Sequence, residues 1–125
     1  MTRPDRGQAA VELALVMPLV MVLLLGLVQL GLVIRDQVLV VHAAREAVRE
    51  AAVSDDRRPP TVAAAGRSGL DARRLSVTIR GQRRGSGTVE VRLRYRASTE
   101  VPFIGPLLPD VVLHAHAAMR RESGS

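Results

Sequence analysis

Cysteine, lysine and tryptophan are all absent from this 125-residue chain, and tyrosine and phenylalanine occur once each. Without cysteine there are no disulfide staples and no thiolate metal ligands, and the redox compartment cannot be read from cysteine usage. Two rings, Tyr95 and Phe103, are too few to make a stacking platform for nucleic-acid bases. Neither a nucleophile elbow nor a phosphate loop is present, and the three histidines, His42, His114 and His116, have no third ligand nearby in sequence. Outward-facing polar side chains account for His114 and His116, which lie two apart on an expected strand and so share a face. No metal, no cofactor and no enzymatic activity are therefore expected.

Charge is missing in one further place, the run from Leu13 to Ile34, which contains no ionisable side chain. At ~1.5 Å of rise per residue a helix over that run reaches roughly 33 Å, about the hydrocarbon thickness of a bilayer. The run is introduced by a short basic leader (Arg3, Arg6) ending in Gly7, and an acid, Glu12, stands five residues after that glycine. Residues 1–7 are polar and include Pro4, unlike the apolar core of a secretory signal peptide. A cut after Gly7 would precede the apolar segment and leave it on the mature chain.

The pattern Gly-x-x-x-x-Glu followed directly by a hydrophobic helix resembles the processing site of type IV prepilins. The stretch RGQAAVELALVMPLVMVLLLGLVQLG with the following HAAREAVREAAV resembles the TadE-like family, pilin-like proteins of tight-adherence (Flp-type) pilus systems. That resemblance is closest over residues 6–53 and continues more loosely through the tail. It implies a non-enzymatic pseudopilin or pilus assembly subunit, cut between Gly7 and Gln8 by a prepilin peptidase. The other partners it implies are the membrane and other pilin-like subunits. Glu12 would meet the free amine of a neighbouring subunit's first residue, here Gln8 after the cut. Gln29 stands where the family often carries a glutamate, so a charge-based role does not carry over to that position. Arg3 and Arg6 before the span nearly balance Arg35, Arg45 and Arg49 after it, so charge leaves the orientation open. The resemblance places the amino terminus in the cytoplasm and the chain from Arg35 onward outside, in a single-pass arrangement. Two other readings are an uncleaved, signal-anchored extracytoplasmic binding protein and a DNA-binding pseudopilin for DNA uptake.

Pro18 removes one backbone hydrogen bond inside the apolar run and predicts a helix kink near Ala14 to Pro18. Beyond the span, residues 35–53 continue as a helical stalk, with Val38, Val41, Val48 and Ala52 expected along one side and Arg45, Glu46, Arg49 and Glu50 along another. SDDRRPP, residues 54–60, ends that helix. A short second helix is expected to start over Thr61 to Ala65 and to end at Gly66 or Gly69.

From Leu75 the hydrophobic period changes from 3.6 to 2. Leu75, Val77 and Ile79 alternate with polar residues, as do Val89, Val91, Leu93 and Tyr95, giving two half-buried strands joined by a glycine-rich hairpin over residues 81–87. A third strand is expected over Val111 to Met119. VPFIGPLLP, residues 101–109, has three prolines and cannot be a central strand; it is expected to cap the small sheet.

The expected fold is α+β: a long amino-terminal transmembrane helix continuing as a stalk, then a small three-stranded antiparallel sheet. The expected organisation is leader 1–7, transmembrane helix and stalk 8–53, linker 54–74, β domain 75–120 and tail 121–125. The net charge of +6 comes from 18 basic residues, all arginine, against 12 acidic ones. Loss of Arg3, Asp5 and Arg6 with the leader would leave +5, that is +6 minus (+2 − 1). Arg92, Arg94 and Arg96 share a strand face and with Arg80, Arg83 and Arg84 form a basic strip. Solvated outward charge is its default explanation, and a nucleic-acid partner is not expected.

Overall fold

The computed structural model of the chain describes residues 5–53, 60–81, 87–99, 101–102 and 105–120. Helix α1 spans Asp5–Val53 as one unbroken 49-residue α-helix with Pro18 inside it. Its alanines and leucines have high helix propensity, and the abundant valines form a helix readily where packing or an apolar solvent covers them. Helix α2 spans Pro60–Ser68. Proline suits the first helical position, where its missing N–H has no acceptor to lose. Gly69, with φ of 72°, terminates α2 in the left-handed region that L side chains avoid. Of the two glycines expected to end this helix, Gly69 does so, whereas Gly66 lies within it.

A three-residue 3-10 turn, Ala72–Arg74, leads into the sheet, and Asp71 caps it by accepting a hydrogen bond from the backbone N–H of Arg73 at 3.0 Å. Strands β1 (Leu75–Arg80), β2 (Thr88–Ala97) and β3 (Val111–Arg120) form an antiparallel sheet in the order β1-β2-β3. Leu75 faces Tyr95 and Ile79 faces Val91 across β1 and β2, while Leu93 faces Ala115 across β2 and β3. This register puts the apolar set of every strand on one face, as the period-2 pattern requires. Residues 82–86 of the connecting hairpin lie outside the described residues.

The sheet's inner face packs against the second half of α1, and α2 packs against the same helix beside the sheet. Val40, Ala43, Ala44, Ala47 and Val48 are buried on α1, and Ala64 and Ala65 on α2. Their spacing of three and four residues is that of one helix stripe. The expected stalk face needs correction here: Val48 is buried, but Val38 is 51% exposed. Alanine sets the buried face because a small side chain lets a sheet and a second helix approach the α1 backbone closely, and a count of large apolar residues overlooks that. The helix is therefore the spine of a head built from its own second half, α2 and the sheet. Arg67 of α2 ties the two helices from outside, donating to Glu46 at 2.6 Å and to Glu50 at 3.0 Å.

The first half of α1 has no such cover. Val11 to Leu24 present exposed apolar side chains all round the helix. The helix is long and apolar enough to cross a membrane: its most apolar stretch has a mean hydropathy of 2.7 and is not buried at all, so that stretch is not part of the head's core.

Candidate functional site

Gly7, Gln8, Glu12 and Pro18 all lie on the first turns of α1, and the helix brings none of them against the head. A Cβ built at Gly7 would meet nothing within 4 Å, so packing inside this chain does not demand a glycine there. Gln8 and Glu12 are four residues apart and therefore project from one side of the helix, whereas Gly7 is turned away from Glu12. The Gly7–Gln8 bond falls in the first turn, whose backbone N–H groups have no helical acceptors and which opens more easily than any later turn. At Pro18 the helix continues without interruption.

Two polar residues mark where the bare helix enters the head. Gln29 is only 7% exposed, and its side-chain oxygen Oε1 is buried without a hydrogen-bond partner. A buried amide oxygen without a partner costs about 1–3 kcal/mol, so its location inside an otherwise apolar run is not neutral. Gln37 Nε2 donates to the backbone oxygen of His114 at 3.4 Å. Farther along, a cleft of about 580 Å³ separates Val41 to Arg49 from His116 to Met119. These two relations set β3 parallel to α1, with the start of β3 toward the bare half of the helix.

The sheet's outer face carries the arginine strip, and the structure divides it. Arg92 donates to Glu90 at 2.8 Å, and this bond is the main reason the Glu90 carboxyl titrates below its ordinary value. Arg94 and Arg96 instead line a cleft of about 430 Å³ together with Arg73, Arg74, Tyr95 and Val112. Asp71 is the acid beside this cleft. Its carboxyl is held below the usual aspartate range first by the backbone N–H of Arg73, then by the Arg73 side chain, which lies 3.3 Å away. Arg74 approaches Asp71 at 3.8 Å and also donates to the Ser98 hydroxyl. Neither Arg94 nor Arg96 makes an ion pair among the described residues. Arg80 sits at the far end of β1 opposite Glu90, and Arg83 and Arg84 lie outside the described residues.

His114 and His116 face Arg94 and Arg92 across β2 and β3. Among the described residues no three His, Asp or Glu side chains gather to hold a metal ion. The proline-rich loop departs from a simple cap. Val101 is buried, but Leu107 is 81% and Leu108 45% exposed, and Phe103 and Ile104 lie outside the described residues. Sequence reasoning missed the grouping of Arg73 and Arg74 with Arg94 and Arg96. The available signal was the Asp-Ala-Arg-Arg run directly before β1, which the β1 to β2 register carries to the Arg94 end of the sheet.

Residues 7–49 match the family model described as TadE-like protein. The match begins at Gly7, takes in Gln8, Glu12, Pro18 and Gln29, and ends inside the part of α1 that carries the head, leaving α2 and the sheet beyond it. Comparison with curated proteins and with solved structures returns no match to this chain.

Proposed function

From the premise that residues 7–49 are TadE-like, we propose that this chain is a non-enzymatic pilin-like subunit of a tight-adherence pilus system, cut after Gly7 and retained by its apolar helix. The observation that carries this reading is the division of one helix into two surfaces. Its first half is bare, apolar and begins with the Gly7 and Glu12 pair, and its second half is engaged by the head along one buried stripe. A bare apolar helix half is costly in water and is covered by lipid before assembly and by neighbouring helices after it.

In this reading a prepilin peptidase opens the first turn of α1 and cleaves the Gly7–Gln8 bond. The new amine of Gln8 then meets Glu12 of an adjacent subunit, a charge pair that fixes the axial register between helices. Glu12 at the lip of the span stays hydrated until that pairing, since a carboxylate at the bilayer centre would cost roughly 2.5–3.5 kcal/mol. The amino terminus lies in the cytoplasm and the head outside. Pro18 supplies a bend as the helix leaves lipid for a bundle.

The test is the intact mass of the protein extracted from its native membrane, compared with a Gly7→Val variant and with cells lacking a prepilin peptidase. Loss of residues 1–7 that depends on both is expected. An uncut chain in cells with active peptidase would overturn the processing step and leave a signal-anchored extracytoplasmic protein.

A further inference from the structure

The end of the head nearest the bare helix carries two features that a pilin-like role leaves unused. One is the cleft of Arg73, Arg74, Arg94 and Arg96. The other is an exposed apolar tip formed by Leu107, Leu108, Val111 and Val112.

Their height along α1 follows from the contact of Gln37 with His114 and the parallel course of β3. A strand rises ~3.3 Å per residue and a helix ~1.5 Å, which puts Val112 level with about residue 33 of α1 and Val111 with about residue 30. Arg96 faces Val112 and Arg94 faces His114, so their stems leave β2 level with about residues 33 and 37. The uncharged run of α1 ends at Ile34, and Arg35 follows it. The arginine cleft thus lies at the height where hydrocarbon gives way to headgroups, and the Val111–Val112 end of the apolar tip lies at or below that height.

We propose that the head rests on the bilayer that holds its own helix, with the cleft arginines on the phosphates of anionic lipids and the Leu107–Leu108 tip in the acyl boundary. The proposal rests on the reading of α1 as a membrane span. Guanidinium groups suit this place because they bind phosphate oxygens bidentately while their stems lie along apolar surface. Of the four cleft arginines, Arg73 and Arg74 reach Asp71 beside the cleft, whereas Arg94 and Arg96 make no ion pair among the described residues and are left for an outside anion. Asp110, exposed at the root of the tip, must stay hydrated and limits the tip to the interface. Continuity with the apolar helix favours lipid over nucleic acid, as does the near absence of rings to stack on bases.

A chain without cysteine allows single fluorophores to be placed by Leu107→Cys, Leu19→Cys and Ala118→Cys in the full protein. Each is reconstituted in phosphatidylcholine nanodiscs containing nitroxide lipids, with or without phosphatidylglycerol. Label at Leu19→Cys is expected to be quenched throughout and label at Ala118→Cys, at the far end of β3, to stay bright. Label at Leu107→Cys is expected to be quenched several-fold more with phosphatidylglycerol present, and that gain to fall about five-fold for each arginine removed in Arg94→Gln and Arg94→Gln/Arg96→Gln. A bright Leu107→Cys label beside a quenched Leu19→Cys label would overturn the proposal and leave the span standing. A bright Leu19→Cys label would remove the span itself. Quenching at Leu107→Cys indifferent to phosphatidylglycerol and to the arginine changes would refute the phosphate contact. Duplex DNA bound to phosphatidylcholine discs and released by Arg94→Gln/Arg96→Gln would assign the cleft to nucleic acid and refute it as well.

Discussion

Leu93→Ala is the change that best tests how the head is held together. Leu93 is 1% exposed in the central strand, facing Val77 on one neighbour and Ala115 on the other, with the alanine-rich stripe of α1 beneath it. Truncation removes about three methylene equivalents, roughly 2.4 kcal/mol of transfer free energy at ~0.8 kcal/mol each. Alanines at Ala43, Ala44, Ala47 and Ala115 have no side-chain length with which to fill the space, so a cavity term adds to this. The expected total is about 3–4 kcal/mol, a large share of the stability of so small a head. Ile79→Ala is the internal control, because Ile79 belongs to the same face of the sheet but is 45% exposed, and its loss should cost about 1 kcal/mol. Tyr95 is the single tyrosine in a chain without tryptophan and is buried in the core, so its fluorescence reports on the head alone. With a urea dependence of about 1.5 kcal/mol/M, unfolding in mild detergent micelles should show a midpoint lowered by about 2–2.7 M for Leu93→Ala and by about 0.7 M for Ile79→Ala. Equal shifts for the two variants would refute the placement of the core between β2 and the alanine stripe of α1.

Gly69→Ala should destabilise the head by about 1–2 kcal/mol in the same urea assay, with Gly69→Asn closer to wild type, because the cost is conformational and nothing crowds the site. At Gly105 the reason is contact, since a Cβ there would lie 2.8 Å from the backbone oxygen of Thr99; Gly105→Ala should shift the backbone amide resonances of residues 98–108 whatever its effect on stability. Arg67→Ala removes two bonds to Glu46 and Glu50 that are largely exposed, and a loss of no more than about 1 kcal/mol, fading at high salt, is expected. The folded pKa of Asp71 lies below its ordinary 3.8, so this group favours the folded state fully above that value, and the contribution disappears as pH falls through the lower folded value. Acid unfolding followed by Tyr95 fluorescence should therefore lose part of its steepness below about pH 4 in Asp71→Asn. Arg73→Ala should raise the Asp71 midpoint in a carboxyl NMR titration only in part, because the backbone N–H remains.

The long helix was legible as an uncharged run too long for a soluble element, and the first two strands as alternation over Leu75 to Ile79 and over Val89 to Tyr95. The stop of α2 was legible only as a choice between Gly66 and Gly69, and the left-handed backbone angle that singles out Gly69 appears only in the fold. The buried face of the stalk was hidden, since it is written in alanines that also raise helix propensity and so carry two messages at once. Burial of Gln29 was hidden as well, because nothing local in the sequence says which part of the chain returns to cover it. The arginine cleft arises from residues twenty or more positions apart whose meeting depends on strand register. For Gly7, Gln8 and Glu12 the fold adds exposure and a shared helix but no partner among the described residues, so their roles stay with the proposal.

The unbroken course of α1 from the bare half into the head has a mechanical consequence. From Pro18 to Val53 the helix runs roughly 52 Å with no loop or linker between the two halves, at ~1.5 Å per residue. The head sits on this rod as a pointer on a lever. A tilt of only about 10° at Pro18 would sweep the far end through about 9 Å, and any turn of the buried half about its axis would swing the arginine face through the same angle. In the proposed pilin-like role, neighbouring subunits that gripped the first half would therefore dictate which way the second half looks, and a change of packing deep in a bundle would become visible on its outside.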